Sequence, residues 1–341
     1  MHRLVVAAAA LLLPTIAAAD ATVQVQLNDE GRAVAQQLGT SPERMAAQIK
    51  EQIDSIYQTG NVDGFLRAFT DATSFSARGI GVDYASAPTG FLVGIAANVA
   101  AAGNGDLRGE ERPTAGLAAN LAIMAGLNLK PWGLPKWTVF GNGFYRGGAA
   151  ARLDGTITSA GAHVMYRIAE PTSTEGATGS AVRWLGLSLT TGIEYTRWQL
   201  GLGGDSIDTN LDVGEGSAAT TLALAASGRF DLRSNAVTIP IEATTGLRIA
   251  VLASVYVGAG IDLTRGNSTV EANLNGTLLT SDNRDVGTVA ITGNGDNTGS
   301  PGSARLIAGA QLNLANLKLF VQASASATPA ASVAFGLRFV Q

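Results

Sequence analysis

Groups able to do acid–base or nucleophilic chemistry are scarce in this sequence. The chain has two histidines, His2 and His163. Alternation along its segment puts His163 on the same side as Arg167. A hydrogen-bonded structural role is the favoured interpretation there, because a catalytic base needs a positioned proton donor. No nucleophile elbow, phosphate-binding loop or dinucleotide fingerprint occurs in a usable context. The sequence therefore predicts a protein that is not an enzyme and uses no cofactor. An enzyme with His163 as its base is the third hypothesis.

Charged residues on the inward face of the predicted strands are the stronger functional candidates. Charged side chains are costly when they face lipid, so alternation places them in the interior of a barrel. Two interpretations stay open, namely cross-lumen ion pairs that fill the interior and a wet, weakly cationic pore. With His163, the lumen-facing candidates are Arg167, Glu194, Arg229, Asp231, Glu242, Arg248, Asp262, Arg305, Lys318 and Arg338.

One segment has the spacing of a calcium loop. Asp208, Asn210 and Asp212 precede Gly214 in the pattern D-x-N-x-D-x-G, which would supply oxygen ligands. A complete loop requires a bidentate Glu at its twelfth position, where this chain has Ala219. The favoured interpretation is an ordinary polar loop, and a calcium site is the alternative.

Composition indicates that much of the surface faces something other than water. Of 341 residues, 46% are hydrophobic and only 15% are charged, whereas a soluble domain carries about a quarter charged residues. The 42 glycines oppose long helices. The absence of cysteine excludes disulfides, thiolate metal sites and a lipid-modified N-terminal cysteine. With 23 basic and 27 acidic residues, no positive field exists to bind nucleic acid.

Strict alternation of apolar with polar or small residues indicates β-strands long enough to cross a hydrocarbon layer. A soluble β-sandwich is the alternative, but its exposed face would be rich in Lys, Glu and Asp rather than Gly, Ala, Ser, Thr and Asn. The fold class predicted is all-β with a helical N-terminal segment, an antiparallel transmembrane β-barrel of about 12 strands (range roughly 10–14). Strands are expected near 76–84, 89–102, 115–128, 136–147, 156–169, 181–198, 216–231, 237–247, 249–264, 303–314, 317–326 and 331–340.

The N-terminal region differs from the rest. A cleaved signal peptide is predicted over 1–19, because a positively charged start and an apolar run precede Ala17-Ala18-Ala19. The expected location is the outer membrane of a Gram-negative-type bacterium. Residues 20–74 are expected to be a helical plug or periplasmic cap, with an apolar stripe of Met45, Ile49, Ile53 and Ile56. The barrel is predicted over 75–341.

Four tryptophans predict aromatic belts at the membrane interfaces. They are Trp132, Trp137, Trp184 and Trp198. Simple alternation points Trp184 and Trp198 inward, so a belt position for them requires a β-bulge.

Two functions from different classes follow from this architecture. The first is a pore or small-solute transport channel gated by the N-terminal helices, as the charged inward face suggests. The second is a surface-exposed adhesin or structural barrel that binds through a long extracellular loop, 265–302, which is rich in Asn, Asp, Gly, Ser and Thr and could hold a hairpin. Expected partners are outer-membrane lipid, the barrel-assembly machinery and an extracellular ligand or small solute.

Two segments carry a family resemblance. The terminal run Val333-x-Phe335-x-Leu337-x-Phe339 resembles the insertion signal of bacterial outer-membrane barrels. An amphipathic N-terminal segment followed by Gly79-Ile80-Gly81-Val82-Asp83-Tyr84-Ala85-Ser86 resembles the leptospiral surface-adhesin family. That second resemblance implies binding of host matrix molecules and no catalytic residue.

Overall fold

Alternating segments pair into one antiparallel sheet. The structure is a computed structural model. It describes residues 20–57, 62–86, 88–103, 115–150, 152–171, 182–214, 220–250 and 252–341. The predicted signal peptide, 1–19, and the side chain of Ile56 lie outside the described part. The sheet contains twelve described strands: β1 (Asp20–Leu27), β2 (Phe91–Gly103), β3 (Ala115–Asn128), β4 (Trp137–Ala150), β5 (Leu153–Ala169), β6 (Val182–Val213), β7 (Thr220–Ile249), β8 (Ala253–Leu279), β9 (Asp285–Thr298), β10 (Gly302–Leu314), β11 (Leu317–Ser326) and β12 (Ala330–Val340).

Ten of these strands form a closed ring. Neighbours pair in the order β2-β3-β4-β5-β6-β7-β8-β10-β11-β12, and β12 pairs with β2 to complete it. Strands β9 and β1 extend the sheet beyond the ring, where β9 pairs with β8 and β1 pairs with β9. The predicted antiparallel barrel with a helical N-terminal segment is confirmed.

The barrel exposes apolar side chains on its outside and buries polar side chains inside, which is the reverse of a soluble protein. Outward residues such as Ile123, Val257 and Leu306 are 67%, 57% and 67% exposed. Inward residues such as Asn98 and Gln322 are buried. This is the arrangement of a transmembrane barrel, in which lipid covers the apolar outer face. Among the described residues, no helix is long and apolar enough to cross a membrane.

Three helices separate β1 from the ring. They are α1 (Asp29–Gln37), α2 (Pro42–Tyr57) and α3 (Val62–Ser76), and a short 3-10 helix (Lys130–Trp132) precedes β4. The Asn28 side chain accepts the Gly31 N–H at 2.9 Å to cap α1. The Ser41 hydroxyl oxygen accepts the Arg44 N–H at 3.2 Å to cap α2.

Three ring strands continue past the ring and, with β9 and β1, enclose α1 and α2. Residues 203–213 of β6, 220–229 of β7 and 267–279 of β8 form a curled sheet with β9 and β1. On its inner side, Met45, Ile49 and Ile53 of α2 are fully buried in an apolar core with strand residues. The Asp212 N–H at the free edge of β6 donates to Gln52 of α2 at 2.9 Å. We call this assembly the cap module. It consists of the extensions of β6, β7 and β8 together with β9, β1, α1 and α2.

A β-bulge decides which tryptophans face outward. The pairing of β6 with β7 shifts register between Trp184 and Leu187, and Gly186 adopts φ +89° there. This shift turns Trp184 outward, 39% exposed, at the same end of the barrel as Trp132 and Trp137, which are 63% and 37% exposed. Trp198 lies beyond the bulge, points inward and is buried with its ring edge-on to Phe69. The aromatic belt therefore does not include Trp198.

Several predicted boundaries are wrong. Residues 76–84 are not a strand, and the first ring strand begins at Phe91 rather than near 75. The strands predicted at 216–231 and 237–247 are one continuous strand, β7. The stretch 265–302, predicted as a long loop that could hold a hairpin, is mostly the hairpin of β8 and β9, in which Leu274 lies opposite Ile291. Alternation cannot distinguish a long strand that leaves the membrane from two short ones.

The packing of the cap module can be tested at one residue of α2. We expect Ile49→Ala to destabilise the cap module by about 2–5 kcal/mol, because it leaves a cavity in the apolar core. Limited proteolysis and hydrogen exchange of the 20–57 segment should show this, with the heat-modifiable migration of the barrel retained. The exposed Glu51→Ala on the same helix is the control. Equal protease resistance of the two variants would show that α2 is not held by this core.

Candidate functional site

A ten-residue segment of the chain occupies the lumen. After α3, residues Ala77–Ser86 run inside the ring, and the first nine of them are buried. Helix α3 is held at the cap end by hydrogen bonds of Thr70 to Ser268 at 2.7 Å and of Ser74 to Thr238 at 3.0 Å. At the opposite end, the Gly90 N–H donates to the carbonyl of Gln341 at 3.0 Å. The chain thus passes through its own barrel, and we call Ala77–Ser86 the plug.

Ion pairs between the plug and the wall form the centre of the lumen. Arg78 of the plug contacts Glu194 of β6 and lies 3.4 Å from Asp262 of β8. Arg305 of β10 contacts Glu242 of β7 and donates to Asp262 at 3.0 Å. Both guanidinium groups belong to residues no more than 2% exposed. In such a position, charges are tolerated only because they neutralise one another.

A second set of contacts holds the far half of the plug. Tyr84 donates its hydroxyl to Glu242 at 2.6 Å. Arg338 of β12 lies 3.3 Å from Asp83, donates to the carbonyl of Val82 at 2.7 Å and stacks over the ring of Phe320 at 3.6 Å. Because Asp83 and Arg338 are fully buried, each depends on the other for its counter-charge.

Two plug glycines allow this close approach. Gly79 has φ +78°, and a Cβ there would come within 2.7 Å of the Gln322 side chain. A Cβ on Gly81 would lie 2.9 Å from His163 Nε2. A side chain at either position would push the plug away from the wall.

The structure distributes the predicted lumen residues over three locations. His163, Glu194, Glu242, Asp262, Arg305 and Arg338 are buried in the lumen, and His163 Nε2 lies 3.4 Å from Glu194. Three further residues sit near the end that carries the C-terminus. There Arg167 lies 3.5 Å from Glu170, Lys318 donates to the Ala315 carbonyl at 2.5 Å, and Arg248 is partly buried on β7.

The inward assignment of Arg229 and Asp231 is wrong. Because β7 runs without interruption, odd-numbered residues stay outward along its whole length while Glu242 and Arg248 stay inward. Arg229 lies on the outside, next to the cap module, 2.9 Å from both Asp231 and Asp154. The hydrogen bonds to Asp231 and Asp154 raise the pKa of Arg229 above its ordinary value.

The segment with calcium-loop spacing at Asp208, Asn210 and Asp212, for which a polar loop was the favoured prediction and a calcium site the alternative, is a strand. These residues lie in β6 opposite Ala225, Ala223 and Thr221, and Asp212 accepts a hydrogen bond from the Thr221 hydroxyl at 2.9 Å. An extended backbone cannot wrap these oxygens around one ion. Within the described residues, no group of three or more His, Asp or Glu side chains could hold a metal.

One carboxyl group links α3 to the rim of the barrel. Asp71 accepts the Ser300 N–H at 2.7 Å and the Ser300 hydroxyl at 2.8 Å. Burial raises the pKa of Asp71, and the two hydrogen bonds oppose that effect. The contact fastens the connection between β9 and β10 to the helix that enters the lumen.

Sequence reasoning missed the partners that the plug contributes. The strand predicted near 76–84 includes Arg78, Asp83 and Tyr84. The segment that contains these residues also carries the adhesin resemblance. The signal was present in its two glycines, since Gly-x-Gly within a polar segment is typical of close backbone approach.

Comparison with protein families agrees with this structure. The sequence profile of the Lsa36-like family matches residues 18–341. The chain belongs to the Lsa36-like family. The match includes both the plug and the ring, so the plug belongs to the family region. No curated protein matches the chain.

Solved structures resembling this Lsa36-like chain are outer-membrane proteins. For the protease OmpT from Escherichia coli, the TM-score is 0.36 at 9% identity, covering 76% of this chain and 99% of that chain. For Neisserial surface protein A, the TM-score is 0.27 at 13% identity, covering 76% of this chain and 100% of that chain. For Ail of Yersinia pestis, the TM-score is 0.22 at 12% identity, covering 73% of this chain and 97% of that chain. With scores and identities this low, the activities of these proteins do not transfer to this chain.

The ion-pair centre predicts a strong effect of one substitution. Arg305→Gln should lower the free energy of unfolding by about 3–5 kcal/mol, because Glu242 stays buried without its counter-charge and Asp262 keeps only Arg78. The midpoint of heat-induced or urea-induced unfolding in detergent measures this.

Two variants serve as references for Arg305→Gln. Arg284→Gln removes an exposed, ion-paired arginine and should leave the midpoint unchanged. Adding Glu242→Gln and Asp262→Asn to Arg305→Gln should restore part of the loss, since no unpaired charge then remains. A midpoint for Arg305→Gln equal to that of Arg284→Gln would contradict the ion-pair centre.

Proposed function

We propose that this protein is an outer-membrane adhesin, in which a barrel closed by its own plug anchors the cap module at the cell surface. The observation that carries the proposal is the occupied lumen. A lumen that holds a ten-residue segment of its own chain, nine residues of which are buried, favours a closed barrel over an open pore, whereas the cap module presents an extended exposed surface.

The orientation of the barrel supports surface display. The cap module lies at the end opposite to Val340, the last residue of β12. The terminal strand resembles the insertion signal of outer-membrane barrels, in which the C-terminus faces the periplasm. With that orientation, β1, α1, α2 and the β8–β9 hairpin lie outside the cell.

The convex face of the cap module has the chemistry of a macromolecular binding surface. Thr22, Thr292 and Asn273 form one exposed row across β1, β9 and β8. Next to that row, a groove of about 410 Å³ is lined by residues of β7, β8 and β9, including Ser227, Asn275 and Thr288. The neutral side chains of this face can donate and accept hydrogen bonds to a protein or glycan ligand.

Binding through this face can be tested on intact cells. The full-length protein would be expressed in a heterologous Gram-negative host and assayed for adhesion to solubilised basement-membrane matrix. Asn273→Arg with Thr292→Arg should weaken adhesion about tenfold or more, as expected for changes at the centre of an interface. Asn316→Arg, at the opposite end of the barrel, is the control.

Two outcomes would count against the adhesin. One is protection of the cap module from protease added to intact cells, which would place it in the periplasm. The other is equal adhesion of the two variants and the wild type.

A gated channel is the second candidate, favoured by the charged wall around the plug. If the plug leaves, Glu194, Glu242, Asp262 and Arg305 would line a hydrated passage, as in selective pores. The two candidates differ in what happens when the plug is displaced.

Single-channel recording separates the two candidates. We expect the wild type to show no steady conductance in planar bilayers, because the lumen is occupied. Gly79→Val should displace the plug, since valine is strained at φ +78° and would collide with Gln322. Gly148→Val on β4 has open space around its Cβ and is the control. A folded Gly79→Val barrel that stays closed would reject the channel.

A further inference from the structure

The apolar outer face ends in arginines on three neighbouring strands. On β6, the outward residues Ile193 and Tyr195 are followed by Arg197. On β8, Ile261 and Leu263 are followed by Arg265. On β7, the last apolar outward residue is Val237, and the next two in the direction of the cap module are Asn235 and Arg233. All three arginines are exposed on the outside of the barrel.

Strand register brings these arginines together. Arg197 lies directly opposite Asn235, and Asn235 lies opposite Asn267. Arg265 and Arg233 are each two residues from those asparagines, on the same face. Directly opposed residues are about 5 Å apart, and residues two apart on a strand are about 7 Å apart. Side chains as long as arginine can therefore converge on one group at the centre of this patch.

Positive charge in the patch exceeds negative charge. Glu271 lies 3.9 Å from Arg233, with both side chains half exposed. The nearby Asp231 is already bound to Arg229 at 2.9 Å. Among the residues that the structure describes, no ion pair involves Arg197 or Arg265. Asp296 of β9 lies opposite Thr269, which in turn lies opposite Arg233, so the three arginines keep an excess of one positive charge over Glu271 and Asp296.

The patch lies at the level of lipid headgroups. The outward apolar face of β7 extends from Ile249 to Val237, a run of twelve steps along the strand. At roughly 3.3 Å per residue and a tilt of about 40°, this run covers about 30 Å of membrane thickness. Residues just beyond Val237 therefore contact headgroups rather than acyl chains.

The patch is confined to one side of the barrel. On β10, β11, β12 and β2, the outward apolar face ends toward the cap in alanine, at Ala304, Ala325, Ala331 and Ala101. A general preference for basic residues at the interface would place arginines around the whole ring. Arginines at this level lie on β6, β7 and β8 and not on these four strands, so the patch does not extend to their side of the barrel.

We propose that Arg197, Arg233 and Arg265 form a binding site for the phosphate of an anionic membrane lipid in the leaflet at the cap end. Guanidinium groups bind phosphate through paired, charge-assisted hydrogen bonds. Asn235 and Asn267 add amide donors between them, and the acyl chains of the lipid lie along Tyr195, Val237 and Leu263. The bound lipid fixes the depth of the barrel in the membrane directly below the cap module.

The test measures lipid retention by the full-length protein. Purified protein in detergent is titrated with phosphatidylglycerol or phosphatidylcholine, and bound lipid is counted by native mass spectrometry. We expect the wild type to retain phosphatidylglycerol about tenfold or more over phosphatidylcholine. The triple variant Arg197→Gln, Arg233→Gln, Arg265→Gln should lose that preference.

A matched variant and a second ligand complete the test. Arg32→Gln, Arg44→Gln, Lys50→Gln removes three exposed positive charges from α1 and α2 and should keep the preference. Heat-modifiable migration verifies that both variants are folded. Equal preference in the two triple variants would overturn the site. Complete displacement of phosphatidylglycerol by equimolar inorganic phosphate would overturn its assignment to a lipid.

Discussion

The structure depends on the ion pairs that Arg78 and Arg305 make with Glu194, Glu242 and Asp262 inside the barrel. Each of these charges would be strongly unfavourable if buried alone, and together they are nearly neutral. Because Arg78 comes from the plug and the others from the wall, the wall's excess of two negative charges falls to one only when the chain passes through the ring. A single electrostatic requirement therefore closes the lumen and links the cap module to the opposite end of the barrel.

The same strands serve two environments along their length. Within the ring, β6, β7 and β8 present polar residues inward and apolar residues to lipid. Beyond the ring, the pattern reverses, so that Leu211, Leu222 and Leu274 pack inward on α2 while Asn and Thr face outward. The reversal occurs where water replaces lipid outside the wall and the hydrophobic effect acts on the interior instead. The arginines of the lipid patch lie at this transition.

The adhesin proposed for this member of the Lsa36-like family rests on the occupied lumen. A plugged barrel has its functional surface at its ends, and the cap module supplies the larger one. The segment Gly79–Ser86, which carries the resemblance to surface adhesins, lies inside the lumen, where its residues up to Ala85 are buried. It positions the cap module by holding the chain inside the barrel, so a sequence signal of the family marks an internal contact rather than the ligand site.

The periodicity of apolar residues in the sequence determined the barrel class and the C-terminal strands from Gly302 to Val340. It also determined the stripe of Met45, Ile49 and Ile53 on α2. Each of these features depends on neighbours in sequence. The sheet has the predicted twelve strands only because errors cancelled, and ten of them form the ring. Residues 76–84 were not a strand and β7 was counted twice, while β1 and β9 were not counted. Tertiary structure decided the positions of Arg229, Trp184 and the plug. One uninterrupted strand set the parity of Arg229, a bulge at Gly186 turned Trp184, and buried counter-charges on distant strands drew Arg78 and Asp83 into the lumen. Such charges neutralise one another across the ring, and spacing along the chain does not encode which of them will meet.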